Sequence, residues 1–375
     1  MQIRYNFHGV GQGLFCSGIT DDFRWIYDCG SLDTGLLKES IKQIGGEVDM
    51  LAISHFHEDH VNGIPELIRN GIKIKLVLIP YLSPEERACV CIDLAKAGTS
   101  VDTLQLLHSP AQYFQGRDAK IIYVMPTDDG NFNDSIPVNI EELGIENGLP
   151  PDDQWRKDDN VYSLEQGRAL KCNDFLFIPF YDTSCLRNST KKLQRNKYFD
   201  EFFNFLKKDF SENTAQEYNR LIQQIRTARE KIIKDPEKYS LCLLGTPSDQ
   251  ELKIQRMYHG ICNKLCCENR QCKFCSKIGV LYTGDAPLKA KCREKNFMKF
   301  YNRYLNNICC FQVIHHGSSY NFHEGIAKKI SPCASIFAAN PAAKFHHPHK
   351  ETIIEFFDYH PSLVNQHDFE VKMEC

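Results

Sequence analysis

The segment Ser54-His55-Phe56-His57-Glu58-Asp59-His60 constrains this chain more than any other part of it. Three imidazoles and two carboxylates fall within residues 55–60. An apolar run of buried-strand length (49–54) precedes them, and a helical periodicity (61–69) follows. Imidazole nitrogen and carboxylate oxygen are the donors that divalent zinc, iron or manganese take in a rigid constellation. On a loop, His55 and His57 can turn to one side and grip one ion, while Asp59 and His60, at the helix start, turn toward a second. A surface loop that is His-rich by accident is the alternative, and it sits badly with the buried strand in front of it.

The rest of the chain reads as strands alternating with helices. Strand patterns fall at 3–7, 24–27, 49–54 and 74–79, and helical ones at 36–44, 61–69 and 84–97, which predicts a layered α/β architecture. Residues 128–160 are acidic and rich in Asn, Gly and Pro, and read as a surface loop. Strand signals return at 175–180, and residues 188–236 read as a helical insertion whose basic face is solvated. Strands at 240–244 and 278–283 enclose a Cys-rich hairpin at 248–277; strands at 308–314 and 334–339 follow, and a helix at 350–359 closes the chain. The expectation is one domain over 1–375 with three insertions.

Composition narrows the class. With 45 Lys+Arg against 48 Asp+Glu the net charge is −3, which excludes a globally basic nucleic-acid binder. No apolar run approaches the roughly 18 residues of a membrane helix. Seventeen cysteines without a secretory leader predict reduced thiols and a cytoplasmic location.

The pattern His55-x-His57-x-Asp59-His60 resembles the signature of the metallo-β-lactamase superfamily. Further motifs stand in the order that superfamily shows: Val10-Gly11-Gln12-Gly13, Tyr27-Asp28-Cys29-Gly30, Tyr282-Thr283-Gly284-Asp285, His315-His316-Gly317-Ser318 and His347-Pro348-His349. Over essentially the whole chain the set is most similar to the soluble hydrolase domain of ComEC-type competence proteins and their stand-alone relatives. The resemblance implies an αββα sandwich holding one or two Zn2+ or Mn2+ ions. It makes His55, His57, Asp59 and His60 metal ligands and Asp285 a bridge between two ions, with Asp28 orienting the His loop from behind. His315 and His316 complete the metal set; strand alternation predicts that one of them reaches the ions, with His315 favoured. His347 and His349 would contact a metal or a substrate oxygen and, with Asp59, carry catalysis, while Ser318 would face phosphate. Two positions depart from the family: Ser240 stands where many members supply a further histidine, and Leu14 where relatives are often acidic.

The activity implied is hydrolysis, with a metal-activated hydroxide as nucleophile. Phosphodiesters lead as substrate, making the chain a nuclease or phosphodiesterase acting on nucleic acid or another phosphodiester. A peptide, ester or lactam hydrolase, or a partner-activated module without its own activity, are the alternatives. Cys262, Cys266, Cys267, Cys272 and Cys275 form a C-x3-C…C-x2-C pattern close to structural-zinc spacing, set against plain free thiols. A zinc there would be structural, or would dock a protein partner through the insertions.

Overall fold

Two sheets meet along a seam of large aromatic side chains. The Tyr27 and Tyr282 rings stack with centroids 4.7 Å apart, and Trp25 lies 5.2 Å from both Phe175 and Phe177. The polar ends of these residues are satisfied across the seam: Tyr5 Oη donates to the Ile278 carbonyl at 2.8 Å and Tyr27 Oη to that of Leu241 at 2.5 Å. Burying rings of this size, with each hydroxyl paired, is what holds the sheets together.

The computed structural model describes residues 1–114, 117–127, 131–132, 137–140, 160–165, 167–183, 239–259 and 277–375, with scattered positions between 201 and 224. The helical insertion at 188–236 and the acidic loop at 128–160 fall mostly outside the described residues, and Cys262, Cys266, Cys267, Cys272 and Cys275 fall wholly outside them.

Among the described residues one sheet has nine strands, in the order Arg256–His259, Phe369–Glu374, Gln2–Phe7, Gly13–Ile19, Arg24–Ser31, Glu47–Ala52, Lys73–Pro80, Lys120–Val124 and Val161–Leu164. Its first five strands pair antiparallel and the remainder parallel. Sequence follows exposure here. Gln2–Phe7 alternates buried and exposed positions, whereas Lys73–Pro80 ends in a continuous buried run because helices cover the outer face of the parallel half. The second sheet has eight strands, ordered Pro361–Val364, Ala334–Ala338, Ile308–Gln312, Gly279–Tyr282, Cys242–Pro247, Phe175–Phe180, Leu170–Cys172 and Val138–Asn139. Helix Lys291–Tyr301 packs on its outer face, with Phe300 5.0 Å from Phe180. The layers are therefore helix, sheet, sheet, helix: the expected αββα sandwich.

The C-terminus differs from the expectation. The closing helix is short, Lys350–Glu355, and two further strands follow it. The last strand, Phe369–Glu374, enters the first sheet beside the first strand, with Gln2 opposite Glu374 and Phe7 opposite Phe369. Its alternating Phe369, Val371 and Met373 are the buried face, a period-2 signal that competed with the helix before it. Asp368 pins the junction, accepting from Gly9 N–H at 2.8 Å and from Asn6 Nδ2 at 3.0 Å. The described part of the Cys-rich insertion also crosses over: Arg256–His259 lies on the edge of the first sheet, against Phe369–Glu374.

Candidate metal centre

The His loop is held from beneath by Asp28. This residue is fully buried and has φ +54°, a left-handed conformation that turns its carboxylate under the loop. Ser54 N–H and Oγ–H donate to its two oxygens at 2.7 and 2.6 Å, and His60 Nδ1 lies 2.8 Å from Oδ2. The loop rests directly on the strand at Gly30, where a Cβ would stand 2.4 Å from the His60 nitrogen. A short helix, Glu58–Val61, then carries Asp59 and His60 inward.

Asp285 arrives from the other sheet. After strand Gly279–Tyr282 the chain turns at Gly284 (φ +51°), where a Cβ would lie 2.6 Å from Ser240 Oγ and 2.7 Å from Ser54 Cβ. Glycine alone fits that space. Gln312 Oε1 accepts from the N–H groups of Thr283 and Gly284 at 2.8 and 2.7 Å, and Ser240 Oγ accepts from Asp285 N–H at 3.0 Å. Ser240 thus anchors the backbone of Asp285.

The donors fall into two groups. His55, His57 and Asp285 form one, and Asp59, His60 and His316 the other; within each, the ligand atoms lie within 4.8 Å of one another. The Asp285 carboxylate spans them. Its Oδ2 is 3.7 Å from His55 Nε2 and 3.5 Å from His315 Nε2, while its Oδ1 is 3.3 Å from His60 Nε2 and 3.7 Å from His316 Nε2. Two hydrogen bonds set tautomers. His316 Nδ1 lies 2.7 Å from the Ala338 carbonyl and His60 Nδ1 faces Asp28, so each ring turns its Nε2 into the site.

His315 and His316 depart from the expected alternation. They do not extend strand Ile308–Gln312; both have positive φ, +47° and +54°, and both imidazoles face Asp285. His316, not His315, joins the Asp59–His60 group. A left-handed pair does not alternate sides as a strand does, so both imidazoles, where alternation predicted one, reach Asp285. Ser318 is buried in its own turn, its Oγ accepting from Tyr320 N–H at 3.4 Å.

Without a cation, the carboxylates and burial set the protonation of the site's imidazoles. Burial would push the His60 imidazole down, but Asp285, Asp28 and Asp59 together hold it well above its usual range. His55 is held well below its range by burial, with His60 and His57 adding to the effect. Burial also acts to raise the Asp285 carboxyl, yet His315, His60 and His316 hold it well below the carboxylate range. Asp285 Oδ1 and His347 Nδ1 are buried without a hydrogen-bond partner. A buried carboxylate oxygen left in this state among imidazole Nε2 atoms fits a divalent cation. The residues therefore fit the zinc or manganese that the resemblance implies.

His347 and His349 form the wall of the site. His347 is held down to about 4 by burial and then by His316, His315 and His349. His349 Nδ1 lies 3.0 Å from Ser319 Oγ, and its ring is 4.8 Å from that of His347. Gln312 and Ser54 were not singled out from the sequence. The one available signal was a polar residue ending an otherwise apolar strand, Ile308–Gln312.

No protein-family model matches the sequence, and no curated protein does. Among solved structures the chain is similar to the metallo-β-lactamase fold protein YhfI from Bacillus subtilis, at 10% identity over 99% of this chain and 100% of that one, with a TM-score of 0.39. Human short-form tRNase Z is similar at 12% identity over 48% of this chain and 59% of that one, TM-score 0.25. A motif mutant of a metallo-β-lactamase from Cronobacter sakazakii is similar at 10% identity over 80% and 71%, TM-score 0.28. No helix among the described residues is long and apolar enough to cross a membrane.

Proposed function

We propose that this chain is a metal-dependent hydrolase of the metallo-β-lactamase type that cleaves phosphodiester bonds. The observation that carries the reading is the Asp285 carboxylate, which turns one oxygen toward each of two buried donor groups. Paired donor sets sharing a carboxylate suit an in-line displacement at phosphorus, where the entering and leaving oxygens both need charge stabilisation. Bound Zn2+ or Mn2+ would supply Lewis acidity and lower the pKa of water to around 7.

The chain's own residues do the remainder. His55, His57 and Asp285 would hold one ion and Asp59, His60 and His316 the second, with His315 on the Oδ2 side of Asp285. His315 then stands on the side of the first group, where Ser240 leaves the family's further histidine missing. Asp28 and the Ala338 carbonyl fix the rings of His60 and His316. His347, held down to about 4, is neutral at pH 7, so it presents a lone pair to a metal or its N–H to a phosphate oxygen. His349 accepts from Ser319 N–H at Nδ1 (3.2 Å), which leaves its Nε2–H free to hydrogen-bond a substrate oxygen.

The test is turnover by the full chain loaded with manganese or zinc, on DNA, RNA and a chromogenic phosphodiester. Hydrolysis of at least one, lost in His57→Ala, supports the reading. No turnover of any of them by protein shown to contain metal overturns it. Activity confined to an ester, peptide or lactam panel would assign the same centre to another bond.

A further inference from the structure

Four aromatic rings run in a row along the rim of the centre. Phe345 stacks beside His347 with centroids 5.9 Å and planes 21° apart, His347 lies 4.8 Å from His349, and His349 lies 5.5 Å from Tyr320. The middle of the row faces the metal donors, with His347 5.6 Å from His315 and 6.2 Å from His316. The ends face water: Tyr320 is 76% exposed and Phe345 53%. Linked through His347 and His349, the two exposed rings give one continuous aromatic row beside the donor groups. Each end also carries an exposed lysine. Lys344 Nζ stands 5.7 Å from the centre of the Phe345 ring, and Lys289 Nζ donates to the Ser319 carbonyl, next to Tyr320, at 3.3 Å.

We propose that this row binds single-stranded nucleic acid. Bases on either side of the scissile phosphate stack on Tyr320 and Phe345, and Lys289 and Lys344 take the flanking phosphates. The proposal rests on the phosphodiester reading and narrows its substrate. Every base has a π face, so exposed rings bind unpaired nucleotides with little regard to sequence. In a duplex those faces are covered by neighbouring bases, and a ring can reach them only after unstacking. With a net charge of −3 over the whole chain, attraction for a polyanion must come from local cations such as these two. The row passes over His347 and His349, so a strand stacked at both ends lays its backbone across the two donor groups.

The test is binding of a short labelled oligonucleotide to the metal-free full chain, read by fluorescence anisotropy and so independent of turnover. The single strand should bind well ahead of the duplex. Tyr320→Ala and Phe345→Ala should each weaken binding by about tenfold, and Tyr320→Phe and Phe345→Tyr should restore it. Replacing Lys289 and Lys344 together by Ala should flatten the salt dependence by about 1.4 in log–log slope. Alanine variants that bind like the wild type, or a duplex that binds equally well, would overturn the proposal. The chromogenic phosphodiester, which needs no stacking, separates the two readings. Its hydrolysis alongside ring-independent oligonucleotide binding removes only the stacking row. Ring-dependent binding with no hydrolysis of diester or oligonucleotide upholds the row and removes the phosphodiesterase.

Discussion

Asp28 Oδ2 lies 2.8 Å from His60 Nδ1, and both side chains are completely buried. The contact joins strand Arg24–Ser31 to the far end of the His loop and fixes which nitrogen of His60 faces the donor cluster. Replacing Asp28 by Asn keeps the shape, and Asn tolerates the same positive φ, so the fold should survive. What changes is the partner of His60. Asp28→Asn is expected to weaken metal affinity by about 10- to 100-fold, read by chelator competition with near-unchanged circular dichroism. Unaltered affinity would remove Asp28 from that role.

Asp285 has a different part, because its two oxygens serve both donor groups. Asp285→Asn removes the charge that two cations would share. Elemental analysis should find the bound metal reduced to one equivalent or fewer, and turnover should fall about a hundredfold or more. Two tightly held ions in the variant would contradict the bridging assignment.

The aromatic seam predicts stability rather than activity. Trp25 is 1% exposed, packs against Phe175 and Phe177, and donates from Nε1 to Tyr282 Oη at 3.3 Å. Trp25→Ala opens a cavity between the sheets and leaves that hydroxyl without its donor. A loss of about 3–5 kcal/mol is expected in denaturant unfolding.

Acid stability should depend on Asp368. Burial acts to raise its carboxyl, but bonds from His8, Gly9 N–H and Asn6 outweigh it and bring the value from 3.8 down to about 2. A carboxylate depressed in the folded state stabilises that state above its unfolded pKa, and the contribution is lost as pH falls from about 4 through 2. Because Asp368 is partly open to water, solvent screening cuts its contribution to about 1 kcal/mol. Asp368→Asn should therefore lower the melting temperature at pH 7, and the gap from wild type should narrow below pH 4. A gap constant down to pH 2.5 would exclude the carboxylate as its source.

The cysteine spacing makes a separate prediction. If Cys262, Cys266, Cys267, Cys272 and Cys275 supply a structural zinc, Cys272→Ser should lower the zinc content by about one equivalent and leave the His-rich centre loaded. Equal zinc in wild type and variant would leave these residues as ordinary thiols.

Much of the centre was legible from local sequence. Residues 54–60 put five donor side chains after an apolar run, and that pattern alone predicts a strand, a metal-binding loop and a helix start. Gly284 before Asp285 likewise reads as a turn at the end of an apolar strand. Local signals of this kind survive because period, spacing and the need for glycine are properties of a few neighbouring residues.

Other features exist only once distant segments meet. His60 and His316 come within 3.3 Å across a separation of 256 residues, and the left-handed backbone at His315 and His316 turns both rings to Asp285 where a strand would have turned one away. The final strand finds its place beside the first because its buried face matches an edge more than 350 positions earlier, which no local window can weigh against the helix next to it. By itself the sequence determined which side chains can bind a cation and which short elements carry them. The tertiary structure decided which donors stand together and how one carboxylate reaches two groups. Those are distances set by the packing of two sheets, not by the order of residues in either.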